Sequence, residues 1–163
     1  MSKDQTLQEI LMAIPWFQQL SRDHLDLLAG FSHLVEVPQG KDLFKEGEAE
    51  DYLYVVINGR ISIEIFAPGR GRLSIYTAEP LDVVGWSSVT PVVRQRTASA
   101  RAVLDSRLIA MDAVSLRRLC EGDCALGCIV MRRIANVVAQ RLLVTRLQLL
   151  DLFANPEQHE VHA

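Results

Sequence analysis

From Phe31 to Met111 the chain alternates short apolar runs with turn signals, a rhythm that suits few architectures. Leu34, Val35 and Val37 precede Pro38-Gln39-Gly40, and Leu43-Phe44 precedes Glu46-Gly47-Glu48. Tyr52 to Ile57 runs into Asn58-Gly59, the strongest short hairpin signal, which predicts Ile61 to Phe66 as the returning strand. After the turn Pro68-Gly69-Arg70-Gly71, Leu73, Ile75 and Thr77 alternate with polar residues, and Ala98 to Val103 and Arg107 to Met111 read as further strands. Short strands at regular spacing, separated by glycine-bearing turns, predict a small mainly β domain, a barrel or jelly roll.

Helices flank this region. Leu7, Ile10, Leu11 and Ile14 recur at helical spacing before Pro15, and Ser21 reads as the N-cap of a second helix that stops near Gly30. Asp112 to Cys120 returns to helical spacing, and Asp123 then caps a long helix reaching about Phe153, where Asn155-Pro156 stops it. Such a helix is about 45 Å long. Its apolar residues form two stripes: Val130, Val137, Val144 and Leu147 on one, and Ile134, Val138, Leu142, Thr145, Leu149 and Leu152 on the other. One stripe suits the barrel, and the other is a heptad-like seam for a second copy of the chain. The expected organisation is therefore N-terminal helices over 1–30, a barrel over 31–112, C-terminal helices over 113–153 and a loose tail over 154–163.

With 17 basic and 20 acidic residues the net charge is −3, which gives no general reason to expect nucleic-acid binding. Arg132, Arg133, Arg141 and Arg146 are scattered round the long helix and read as a solvated surface rather than a DNA site. No apolar run approaches the roughly 18–20 residues of a membrane span. The polar start lacks a signal-peptide core, so a cytoplasmic protein is expected. Cys120, Cys124 and Cys128 read as small buried thiols rather than a metal site, with a redox role as the lesser alternative. Their odd count argues against structural disulfides. No base–nucleophile pair or metal-spaced ligand set stands out, so neither an enzyme nor a certain cofactor is expected.

The stretch 83–102 carries the candidate chemistry. Gly85 ends an apolar run, and the backbone amides of Trp86, Ser87 and Ser88 begin a short segment where they can face an anion. Arg94 and Arg96 follow two residues apart, with Thr97 and Ala98 leading into a strand. Aligned amides beside a guanidinium hold phosphate without a lysine. The alternative is a surface turn with two solvated arginines.

The ordered set of motifs resembles the cyclic nucleotide-binding domain of the Crp/Fnr family, over roughly Ile10 to Leu152. Ile14-Pro15-Trp16-Phe17 with Leu20-Ser21, then Pro38 to Gly40, Phe44, Glu46-Gly47-Glu48, Asp51, Leu53-Tyr54, Val56 and Gly59 carry it. Gly85 and Arg96-Thr97-Ala98 stand where the family's phosphate-binding cassette has its glycine and its arginine. The resemblance implies a jelly roll of the double-stranded β-helix type and a non-catalytic sensor in signal transduction or transcription regulation. It also implies a cyclic nucleotide, or another small anion, held by Arg96, Thr97 and the cassette amides. The exit helix would contribute Arg141 or Thr145, and Arg94 would either add an anion contact or stay solvated.

Two departures qualify this. Trp86 stands where the family's nucleotide binders usually place a glutamate that accepts from the ribose hydroxyl. An indole offers a donor and no acceptor, so that hydroxyl would lie unpaired at a cost of about 1–3 kcal/mol. Trp86 therefore either stacks on a planar ligand or plugs the pocket. The helix-turn-helix that follows in the family's transcription regulators has no counterpart in this sequence, so direct DNA binding is not expected. The reading is a homodimeric sensor with an unknown protein partner, or a ligand-free interaction module with a closed pocket.

Overall fold

A computed structural model describes residues 6–49, 51–90 and 95–154. The chain enters through α1 (Leu7–Ala13), a 3₁₀ turn (Pro15–Phe17) and α2 (Arg22–Gly30). Eight strands follow among the described residues: β1 (Ser32–Val37), β2 (Asp42–Phe44), β3 (Tyr52–Asn58), β4 (Ile61–Ala67), β5 (Gly71–Ala78), β6 (Val83–Val84), β7 (Ser99–Ala102) and β8 (Ser106–Asp112). The exit helices are α3 (Ala113–Gly122) and α4 (Cys124–Ala154).

Local chemistry explains the helix starts. Thr6 accepts from the Glu9 amide while the Glu9 carboxylate accepts from the Thr6 amide, a reciprocal capping box. Ser21 accepts from the His24 amide at 3.2 Å, as the sequence predicts. Asp112 caps the Ser115 amide at 2.7 Å, and Asp123 caps the Leu126 amide at 2.9 Å.

The strands form two antiparallel sheets, β1-β8-β3-β6 and β2-β7-β4-β5, in the expected jelly-roll arrangement. β3 shows why its apolar run is unbroken. Tyr54 and Val56 point between the sheets with Ile61, Ala100 and Leu108, whereas Leu53, Val55 and Ile57 point outward under the helices. Both faces are covered, so alternation gives way to continuous hydrophobicity.

The hairpin expected at Asn58-Gly59 does not form. β3 pairs with β8 and β6, while β4 pairs with β5 and β7, so the turn carries the chain from one sheet to the other. Gly59 has φ +88°, and a Cβ there would collide with Ser106 Oγ and the Asp105 carbonyl. Its glycine answers a close approach to the β7–β8 turn, which a two-residue hairpin signal imitates. β4 instead makes its hairpin with β5, across Pro68-Gly69-Arg70.

The two predicted stripes of α4 are also redistributed. Leu126, Val130, Ile134 and Val137 are all buried in the cluster beneath the N-terminal helices, which places Ile134 in the domain rather than on the seam. Beyond Arg141 the helix surfaces: Leu142, Leu147 and Phe153 are 69%, 58% and 76% exposed, so Leu147 does not lie on the barrel. Val144 and Val138 are half-buried, and Leu142, Thr145 and Leu149 are exposed. Beyond Arg141 one side of the helix still meets the domain, with Val144 half-buried and Gln148 donating to Ile75 O of β5, so the division runs along its length as well as round its axis. The Leu152 side chain and residues 155–163, with the proposed stop and tail, lie outside the described residues.

Candidate functional site

β6 ends at Val84, and Gly85 reverses the chain with φ +75° and ψ 33°, a left-handed conformation that glycine adopts without strain. A 3₁₀ turn, Trp86–Val89, follows. A Cβ at Gly85 would also collide with Arg96 Nη1, so this glycine makes room for the arginine as well as the turn.

Arg96 is 4% exposed. Its backbone is clamped by the Glu46-Gly47-Glu48 turn, with Arg96 N donating to Glu48 O and Gly47 N donating to Arg96 O, both at 2.9 Å. Its guanidinium donates through Nη2 to Tyr52 O at 2.7 Å and through Nη1 to Gly85 O at 3.4 Å. The same group lies 4.2 Å from the Phe44 ring centroid and 5.7 Å from that of Tyr54. Burial raises the Tyr54 phenol above its usual range, and the Arg96 charge opposes this. Composition gave no warning of this aromatic seat, although Phe44 and Tyr54 already stand among the motif residues.

The cassette turn uses part of its own hydrogen-bonding capacity. Ser88 donates both its amide, at 3.1 Å, and its hydroxyl, at 2.8 Å, to Gly85 O. The Ser88 amide is therefore not free for an anion, contrary to the sequence expectation. Ser87 and Ser88 are buried, and Trp86 is half-buried against the outer hydrophobic cluster.

One cavity collects most of the expected residues. Gly85, Trp86, Ser87, Arg96, Thr97, Ala98 and Arg141 line it, joined by Phe44 and Ile63. Ser88 is not among its lining residues, and Thr145 lies on the exposed surface one turn beyond Arg141. Arg94 lies outside the described residues. The cavity measures about 30 Å³, enough for a water molecule and far below the roughly 300 Å³ at which small-ligand pockets begin.

Arg141 reaches this cavity from α4. It donates to Val83 O at 2.8 Å and lies 4.0 Å from the Tyr76 ring centroid. Tyr76 donates to Asp82 Oδ2 at 2.9 Å, so a short polar chain joins β5, the β5–β6 loop and the helix. Burial shifts the Arg141 guanidinium below its usual range, while Tyr76 and Asp82 pull the other way.

The cysteines are not buried as expected. Cys124 and Cys128 are exposed and Cys120 is half-buried, all three unpaired. Among the described residues no group of three or more His, Cys, Asp or Glu is arranged to hold a metal ion. No described helix is long and apolar enough to cross a membrane.

The model of the cyclic nucleotide-binding domain family matches residues 34–123, more than half of the chain. A CRP-like cAMP-activated global transcriptional regulator of Mycobacterium tuberculosis is 31% identical over 147 residues, which cover 90% of this chain and 63% of that regulator. The cyclic AMP receptor protein of Thermus thermophilus is 27% identical, covering 91% of this chain and 77% of the receptor. The chain thus spans less than two thirds of the length of the first of these, which by its name is a transcriptional regulator. A crystallised cyclic nucleotide-binding domain from Methylobacillus flagellatus KT shares the fold at a TM-score of 0.73 and 22% identity, covering 89% of this chain and 81% of that one. The turn at Gly85 with the buried Arg96, the jelly roll around it and this family match agree: the chain belongs to the cyclic nucleotide-binding domain family.

Proposed function

We propose that this domain senses a small anion at the cavity between the cassette and α4, and passes the signal on through α4. The observation that supports this is the meeting of two guanidiniums, Arg96 from the cassette and Arg141 from the helix, at one small cavity. Buried cations favour an anion, because charge-assisted hydrogen bonds then replace the weaker ones to backbone carbonyls. Arg96 would leave the Gly85 and Tyr52 carbonyls for the ligand, with Thr97, Ala98 and the Trp86 and Ser87 amides beside it. Arg141 would leave Val83, and the shift in α4 would be read by a protein partner. A second copy of the chain would cover the exposed leucines beyond Arg141, making a homodimer. Three unpaired thiols suit the reducing cytoplasm.

The ligand is a phosphate- or carboxylate-bearing molecule other than cyclic AMP held in the family's usual way, because Trp86 supplies no acceptor for a ribose hydroxyl. Calorimetric titration with cyclic AMP and cyclic GMP tests this. Weak binding by the wild-type chain, tightening about ten- to a hundredfold in Trp86→Glu and vanishing in Arg96→Ala, is the expected result. Hydrogen exchange in α4 should slow or quicken when a ligand binds.

The small cavity favours one second reading, in which the indole has closed the pocket and the domain works as a ligand-free dimeric interaction module. No heat from any anion in a broad metabolite screen, with wild type and Trp86→Glu alike, would select it.

A further inference from the structure

A second cavity, of about 470 Å³, lies at the elbow between α3 and α4 and reaches Val89 at the end of the cassette turn. Its volume is that of a small-ligand pocket. Val89, Arg117, Glu121 and Met131 line it together with all three cysteines. Gly127 makes the elbow tight, since a Cβ there would press on the Cys120 carbonyl. That contact brings the end of α3 against the first turns of α4 and gathers the thiols.

The three differ in reactivity. Burial first, then the charges of Glu121 and Asp123, push the Cys120 thiol up to about 11, so it stays protonated and inert. Cys124 and Cys128 are exposed. Arg132, one turn further along α4, donates to Cys128 Sγ at 3.5 Å, which places a cation beside the sulfur that would act as the nucleophile in thiol–disulfide exchange. Cys124 and Cys128 are poorly placed to join each other. Helix positions four apart keep their Cβ atoms about 5–6 Å apart, whereas a disulfide needs about 3.5–4.5 Å. A disulfide formed at Cys128 with an outside thiol would therefore persist rather than be resolved by Cys124.

We propose that Cys128 is a thiol-modification site, forming a mixed disulfide with a zwitterionic low-molecular-weight thiol that seats in this cavity. Arg117 meets the carboxylate of the thiol, Glu121 its ammonium, and Val89 and Met131 its carbon chain. In the reaction the Cys128 thiolate attacks one sulfur of the corresponding small disulfide. The Cys128 S–S bond forms, the S–S bond of the small molecule breaks, and the second half leaves as a thiolate that takes up a proton. Cysteine sulfur is oxidised, and the leaving sulfur is reduced. Arg117 also donates through Nη1 to Ser88 O, so an adduct held here bears on the cassette turn from behind.

The test treats the full chain at neutral pH with glutathione disulfide or, in parallel, with the uncharged hydroxyethyl disulfide, and follows adducts by intact mass and peptide mapping. The proposal expects one adduct, on Cys128, forming several-fold faster with glutathione disulfide. Glu121→Gln should remove that preference while leaving the hydroxyethyl rate unchanged, and Arg132→Gln should slow both reagents. Cys124→Ser should still be modified. Equal rates for the two reagents, an adduct mainly on Cys124 or Cys120, or loss of two hydrogens through an internal disulfide would each overturn it.

Discussion

The two halves of α4 contain similar residues and meet opposite environments. Leu126, Val130, Ile134 and Val137 lie fully or nearly fully buried against α3, the N-terminal helices and the outer face of β3 and β8. Leu142, Leu147, Leu150 and Phe153 are all more than half exposed. Arg133, Arg141 and Gln148 donate from α4 to carbonyls of Leu81, Val83 and Ile75, so the helix keeps a polar grip on the domain through its change of role. The difference shows that helical hydrophobicity states a demand for partners without saying where they come from. The first half is satisfied by its own domain. The second half touches the barrel along one side only, and its exposed apolar surface is the kind that monomers rarely leave uncovered.

Three measurements sharpen this contrast, in descending order of effect. Leu126→Ala should lower the unfolding free energy by about 2–5 kcal/mol in denaturant titration, because it opens a cavity in a packed core. A loss below about 0.5 kcal/mol would mean that the proximal half is as loosely held as the distal one. The double substitution Leu147→Asp with Leu150→Asp should convert a dimer to a monomer in sedimentation, while changing the stability of each subunit by no more than about 0.5 kcal/mol, as for other exposed sites. A monomeric wild type would break the comparison on the distal side.

The smallest effect concerns the start of α4. The Leu126 amide, and after it His24, hold the Asp123 carboxyl below its ordinary value. Folding therefore favours the charged form, so its stabilisation is complete above about 3.8 and fades as pH falls through the lower folded value. Asp123→Asn should flatten this acid limb of the stability–pH curve and leave the distal half of the helix unaffected in hydrogen exchange.

Much of this molecule is legible in the sequence because the signals are local. Ser21, Asp112 and Asp123 announce helix starts through side chains that accept from amides three residues on. Gly85 and Arg96 are legible as a pair because the cassette order survives in one short stretch. The aromatic seat of Arg96 is not legible locally, since Phe44 and Tyr54 lie far from it in sequence and meet it only when the sheets close. The exposure of Cys124 and Cys128 is hidden from the sequence for a similar reason. Apolar character suggested burial, but the elbow at Gly127 leaves their face of α4 outside the core.

The sequence by itself determined the rhythm of strands and turns, the capped helices, the length of α4 and the turn at Gly85. These follow from dihedral preference, side-chain periodicity and short-range hydrogen bonding, all of which act within a few residues. Only the tertiary structure decided that β3 and β4 part company at Gly59, that α4 divides along its length, and that Arg141 rather than Thr145 reaches the cavity. Each of these depends on surfaces brought together from distant parts of the chain, where burial and close approach outweigh local preference.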